Sequence, residues 1–167
     1  IKGICTGFSF NNIGDKLKIL SVTTWGGLKL GSTAAQFQGC TNLNLTAVTD
    51  LLNLTGATDI SNMFIGYAFS TINRINEWNT SSVINMTAVF QTCTLFNQDL
   101  SGWNTSNVTV MSSMFQSAVA FNQNVGAWNV SNVTNFLQTF SGATAFNNGG
   151  VSDINNWTLK TTGTISM

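Results

Sequence analysis

Trp103-Asn104-Thr105-Ser106-Asn107-Val108-Thr109-Val110-Met111-Ser112-Ser113-Met114-Phe115 decides the reading of this chain, because the same phrase stands on either side of it. The copy before it is Trp78-Asn79-Thr80-Ser81-Ser82-Val83-Ile84-Asn85-Met86-Thr87-Ala88-Val89-Phe90. The copy after it, at the same interval, is Trp128-Asn129-Val130-Ser131-Asn132-Val133-Thr134-Asn135-Phe136-Leu137-Gln138-Thr139-Phe140. Each runs on to a Phe-Asn pair, Phe96-Asn97, Phe121-Asn122 and Phe146-Asn147. Self-similarity at a fixed period of this length marks a repeat architecture, in which a unit buries its apolar face only against its neighbours.

The pattern continues outward in both directions. Ala35-Gln36-Phe37-Gln38-Gly39-Cys40-Thr41 matches Ala88-Val89-Phe90-Gln91-Thr92-Cys93-Thr94, and Trp25 precedes Phe37 by the interval that separates Trp78 from Phe90. Between them Phe64 fills the Phe slot, Ile60 the Met slot, and Leu52 stands where the Trp belongs. The Phe series is 37, 64, 90, 115, 140, with steps of 27, 26, 25 and 25. Trp157 opens a further coil, and the extra residues around Asn148-Gly149-Gly150-Val151 are predicted to bulge as a loop. The next Phe falls due beyond Met167, so the last coil is expected to be incomplete, with Thr161-Thr162-Gly163-Thr164 as part of a polar cover. Residues 1–30 read as an N-terminal lead-in or capping segment with the first strand, and 31–167 as tandem repeats of 25–27 residues. Ile1-Lys2-Gly3-Ile4-Cys5 has neither an initiator Met nor the form of a signal peptide, which suggests a processed product or a piece of a longer chain.

Around each Trp the apolar residues fall at i, i+3 and i+5, as in Leu100-x-x-Trp103-x-Thr105 and Ile154-x-x-Trp157-x-Leu159. That rhythm predicts a strand on the inner face of a stack. The Ser/Asn cluster that follows suits a helix cap, and Val108, Met111 and Phe115 lie at helical spacing. The predicted fold is an α/β repeat solenoid: a leucine-rich-repeat-like stack of about six coils, each a short parallel strand plus a short helix or turn.

Composition bounds the function. Charged residues are 7% of the chain and six Lys/Arg balance six Asp/Glu, so the basic footprint of a nucleic-acid binder is missing. No apolar run reaches the roughly 18–20 residues that cross a bilayer, so no direct membrane insertion is expected. There is no His, which removes the commonest general base and metal ligand. Asp15, Asp50, Asp59, Glu77, Asp99 and Asp153 are scattered singly. No catalytic residue, metal site or cofactor is expected, and the protein is not read as an enzyme. Cys40 and Cys93 share a slot two coils apart, too far for a disulfide, and are expected free and buried. Cys5 is open to pairing outside the chain. Asn44, Asn53, Asn79, Asn85, Asn104, Asn107, Asn129, Asn132 and Asn156 head Asn-x-Ser/Thr sequons, which duplication of an Asn/Ser/Thr-rich repeat explains without glycosylation.

The unit W-N-x-S-N-V-T-x-M-x-x-M-F-x-x-A-x-x-F-N-Q, clearest at 78–102, 103–127 and 128–147, resembles the bacterial surface-protein repeats of BspA-like type, also known as a mycoplasma-type lipoprotein repeat of unknown function. Phe10-Asn11-Asn12-Ile13-Gly14-Asp15-Lys16-Leu17-Lys18-Ile19-Leu20, followed by Trp25-Gly26, is similar to the lead-in before such repeats. The resemblance covers nearly the whole chain but weakens at 41–60. It implies a leucine-rich-repeat solenoid, an exterior location and adhesion or ligand display, without enzymatic activity.

Candidate residues divide by slot. Trp25, Trp78, Trp103, Trp128 and Trp157, with Phe37, Phe64, Phe90, Phe115 and Phe140, are read as structural ladders ahead of a carbohydrate-stacking platform. Asn76, Glu77, Asn79, Ser101, Asn104, Ala127 and Asn129 flank the Trp slot and are the candidate ligand-binding face, with structural laddering as the competing reading. The expected function is an extracellular ligand-binding or adhesion module on a cell surface, cell envelope or viral fibre. The expected partner is a host or cell-surface protein or glycan, or neighbouring subunits of a surface or virion assembly. The alternative is a structural spacer or a lattice or filament subunit.

Overall fold

The computed structural model describes residues 8–160 and 165–167. Cys5 and the expected Thr161–Thr164 cover lie outside the described residues. The expected α/β repeat solenoid on the leucine-rich-repeat plan is not what the chain forms. Among the described residues there is no α-helix and no strand. The regular structure consists of 3-10 turns at Ile75–Glu77, Asn148–Gly150 and Asp153–Asn156, together with isolated parallel bridges.

Instead each repeat is a run of linked turns laid against the next repeat. From Trp78 onward the apolar i, i+3 pair that ends at each Trp is closed by a turn, not drawn out in a strand. The Trp103 amide donates to the Leu100 carbonyl at 3.0 Å, and Trp78, Trp128 and Trp157 do the same to Ile75, Val125 and Ile154. A turn puts i and i+3 on one side as surely as a strand or helix does, so the burial pattern was a poor guide to backbone. Four of the bridges fall where a helix was expected, in a column through Asp59, Asn85, Val110, Asn135 and Ser166, and the others join Ser21 to Asn44, Lys29 to Asn53 and Leu45 to Ile72.

A left-handed backbone explains why the helix fails. Two residues before each Phe of the series and two after it, φ is positive: Ala35 and Gly39, Asn62 and Gly66, Ala88 and Thr92, Ser113 and Ser117, Gln138 and Gly142, all between 53° and 73°. Such angles cost a non-glycine residue roughly 1 kcal/mol or more and cannot continue a right-handed helix. What offsets them is hydrogen bonding between layers. The amides of Ala88, Phe90 and Thr92 donate to the carbonyls of Ser112, Met114 and Gln116 at 2.9, 2.9 and 2.8 Å. Ser113, Phe115 and Ser117 donate in the same way to Leu137, Thr139 and Ser141. Amides between them close i→i−3 turns, such as Gln91 to Ala88, Met114 to Met111 and Gln116 to Ser113. Backbone donors thus alternate between their own turn and the next layer, which satisfies them without regular structure.

The core is one continuous cluster with the rings at its centre. Phe37, Phe64, Phe90, Phe115 and Phe140 stack in sequence, with adjacent centroids 5.6, 5.9, 5.6 and 5.6 Å apart. Phe96, Phe121 and Phe146 form a second stack, each face to face with the Phe of its own layer at 4.2, 3.9 and 3.9 Å. Burial of each ring contributes roughly 1.5–3 kcal/mol, with a further increment from ring pairing.

The stack also extends one layer earlier than the sequence pattern showed. Phe10 donates its amide to the Gln36 carbonyl, as Phe37 does to Met63. The Ile13 amide closes back on Phe10, as Cys40 does on Phe37. Asn12, two residues on, has φ 59°. The lead-in segment therefore carries the same backbone turn at Phe10, while the ring that packs on Phe37 is that of Phe8, edge-on at 5.3 Å.

Candidate functional site

The residue after Trp78, Trp103 and Trp128 is held by its own side chain. Asn79, Asn104 and Asn129 accept through Oδ1 the amides of Ser81, Ser106 and Ser131 at 3.1, 3.0 and 3.1 Å. These are Asx turns, in which a carboxamide stands in for a backbone carbonyl. Neighbouring layers are joined at the same level, where the Thr80 hydroxyl donates to the Asn104 carbonyl and Thr105 to that of Asn129, both at 3.0 Å. The three carboxamides therefore form an exposed column with one shared orientation. No acceptor among the described residues takes the Nδ2 protons of this column.

The other candidates are committed to structure to differing degrees. Asn76 spends both ends of its amide: Nδ2 donates to Asp99 at 2.9 Å and Oδ1 accepts the Gly102 amide at 2.7 Å. Ser101 is tied to the same Asp99 through its amide and its hydroxyl. Asp99 therefore brings Asn76 and Ser101 together, which their sequence separation did not show. Glu77 is exposed and forms a two-pronged ion pair with Arg74 at 2.9 and 2.7 Å. The Arg74 hydrogen bonds hold its carboxyl below the usual range. Ala127 is exposed and adds apolar surface only.

Further polar ladders run along the stack at positions outside the predicted face. Asn107 and Asn132 donate to the Ser81 and Ser106 carbonyls one layer back, at 2.8 and 2.7 Å. Gln91, Gln116 and Gln138 form an amide chain, Nε2 to Oε1. The recurrence of Gln at 91 and 116 was the available signal, and the displaced Gln138 hid its last member. Among the carboxylates, Asp50 is subject to burial, but the Trp25 and Gly26 amides that it accepts leave its carboxyl below the usual range. That role is structural.

The tryptophan faces are closed to solvent in all but the last layer: Trp78 is 1% exposed, Trp103 3% and Trp128 4%. A sugar has no access to them. Trp157 is partly exposed and packs on Phe136 at 5.8 Å. Both line an apolar cavity of about 290 Å³ with Phe140, Ile154, Leu159 and Met167. Cys40 and Cys93 are free and buried, and burial pushes their thiols up to about 11 and about 12. Among the described residues no cluster of His, Cys, Asp or Glu is placed to hold a metal ion. No helix there is long and apolar enough to cross a membrane.

Residues 58–167 match the model of one family, described as a Mycoplasma protein of unknown function, DUF285. No curated protein matches the chain. No solved structure matches it either.

Proposed function

We propose, for a chain that belongs to the Mycoplasma protein family of unknown function DUF285, that it is an extracellular recognition module, binding a protein or glycan through the polar side of its layers. The observation that carries this reading is the column of Asn79, Asn104 and Asn129. Each side chain is fixed by its Asx turn, so each amino group is aimed outward without further loss of rotamer freedom. Donors that are ordered before binding reduce the entropic cost of recognition. Their repetition by layer suits a ligand with acceptors at regular intervals, such as an oligosaccharide or an extended peptide. The finer likeness to BspA-like bacterial surface repeats supports the same reading and an exterior location, on a cell envelope or viral fibre.

The test separates donor from turn. Asp in place of Asn keeps the Oδ1 acceptor and loses the amino group, whereas Ala loses both. The intact chain and the Asn79→Asp/Asn104→Asp/Asn129→Asp variant are screened against a glycan array and a panel of surface proteins. Saturable binding by the intact chain, lost in a variant that unfolds at the same denaturant midpoint, is the expected result. Binding that survives the triple substitution moves the site off this column. An intact, folded chain that binds nothing on either panel removes the recognition reading.

A further inference from the structure

We infer that Asn148-Gly149 is a self-modification site: a deamidation step that the fold holds shut, and that keeps the insert before Trp157 open once it has run. An Asn-Gly step is prone to this chemistry because glycine, without a Cβ, leaves its amide nitrogen free to reach the preceding side chain. The chain contains one such step, at 148–149. The Gly149 nitrogen attacks Asn148 Cγ, the Cγ–Nδ2 bond breaks, and ammonia leaves with the proton given up by the attacking nitrogen. The product is a five-membered succinimide. Water then opens the ring at either carbonyl, leaving aspartate or isoaspartate at 148.

In the folded chain both reacting groups are engaged elsewhere. The Gly149 amide donates to Asn122 Oδ1 at 3.0 Å. Its neighbours are held too, the Asn147 amide by Asn122 Oδ1 and the Gly150 amide by Asn147 Oδ1, both at 2.8 Å. The Asn148 side chain is 2% exposed for the whole residue and bonded at both ends. Its Oδ1 accepts the Val125 amide at 2.8 Å, and its Nδ2 donates to the Val151 carbonyl at 3.1 Å and to Asp153 at 2.5 Å. Nucleophile and electrophile must therefore be released together before they can meet. Asn148, Gly149 and Gly150 all have positive φ, at 57°, 66° and 81°. Such a run has no local advantage, so the insert is closed by these bonds and opens as a local unit when they part.

The reaction removes the means of closing again. A carboxylate at 148 has no proton to donate to the Val151 carbonyl or to Asp153. It would bring two like charges to hydrogen-bond distance in a buried position, which is costly. Asp153 stays in place, since Asn124 donates to its other oxygen at 2.9 Å. Isoaspartate goes further and lengthens the backbone by one carbon within the left-handed run. An opening that lasts long enough for the chemistry is thus recorded permanently.

The gate is tested by holding the intact chain in mildly alkaline buffer with and without denaturing urea. Chymotrypsin, cutting after Phe146 and Trp157, releases the peptide 147–157, whose fragment masses locate any amide-to-acid conversion. Conversion at Asn148 is expected in urea, and at least about tenfold more slowly in the folded chain. No conversion at Asn148 in urea, or equal rates in both conditions, overturns the proposal. The lock is tested by thermolysin cleavage before Val151, which reports the open insert, in variants shown to be folded by thermal unfolding. Asn148→Asp should be cut at least about tenfold faster than the intact chain. Asn148→Asp/Asp153→Asn, which again sets a donor against an acceptor between 148 and 153, should return most of the way. Cleavage unchanged by Asn148→Asp, or equally fast in both variants, overturns the lock. Should the single variant fail to fold, recovery of folding in the double variant makes the same comparison, and failure of both overturns it.

Discussion

The layers from Trp103 onward and those before it follow one plan, yet they differ in how completely its polar groups are paired. In the later region the indole N–H of Trp103, Trp128 and Trp157 reaches back to the carbonyls of Ile75, Leu100 and Val125, at 2.8, 3.1 and 3.0 Å. In the earlier region the indole N–H groups of Trp25 and Trp78 are buried without a partner among the described residues, as is the Gln36 side-chain oxygen. The rings hardly register the change: Phe37–Phe64 and Phe64–Phe90 are 5.6 and 5.9 Å apart, against 5.6 Å for Phe90–Phe115. The longer sequence steps from Phe37 to Phe64 and from Phe64 to Phe90 are absorbed by apolar stacking, which has little directional demand. Hydrogen bonds need a donor and an acceptor at a defined distance and angle, and in the early layers it is the indole bond that is lost. The backbone bonds between layers survive the longer steps, as from Phe37 to Met63 and Phe64 to Val89 at 3.0 Å.

The largest expected effect tests the part both regions share. Phe115→Ala should destabilise by about 3–5 kcal/mol in denaturant unfolding, since the ring touches stacked rings on three sides. Phe140→Ala, in a half-buried ring, should cost clearly less. Equal costs would mean that the stack is not the source of stability. Next comes Gly102→Ala. A methyl group at this position would collide with the Asn76 carbonyl of the preceding layer, and the expected loss is about 1–3 kcal/mol. A neutral result would show that successive layers can separate freely.

A smaller effect bears on the contrast itself. Trp103→Phe removes a donor that satisfies Ile75, whereas Trp78→Phe removes one that is already orphaned. The first should be the more destabilising by about 1 kcal/mol, and a reversed order would break the comparison.

The last effect vanishes at neutral pH. The slot occupied by Ala118 and Ala143 holds Cys40 and Cys93 earlier in the chain, with thiols pushed up to about 11 and about 12 by burial from a value of 9.0. The unfolded chain gives up these protons first. Their contribution to stability is therefore fully present below about pH 9 and lost as pH rises through the folded-state values. Cys93→Ala should flatten the decline in unfolding midpoint above pH 9. Unchanged slopes would mean that the thiol is not shielded.

The period, the Phe and Trp slots and the burial of most of them were legible at 78–147, where each landmark recurs at one fixed interval. The backbone was not. Trp103 with Leu100, and Phe115 with Met111, lie at spacings that strands, helices and linked turns all satisfy. What separates these is the positive φ at Ala88, Ser113 and Gln138, residues with no preference for it. The turn at Phe10 was missed because its layer lacks the Trp, and the Phe10–Gln36 bond gives it away. In the candidate face, exposure of the residue after each Trp was readable from its neighbours. That Asn76 and Ser101 meet at Asp99 was not, since their link crosses between layers.

Sequence alone determined that this protein is a stack of like units: duplicated apolar residues at one period can be buried only against their own copies. Tertiary structure alone decided what each unit is. Its left-handed turns have no local advantage and persist because each aims an amide at the next layer. That contribution exists only once a neighbour is in place, so no single repeat, read by itself, contains it.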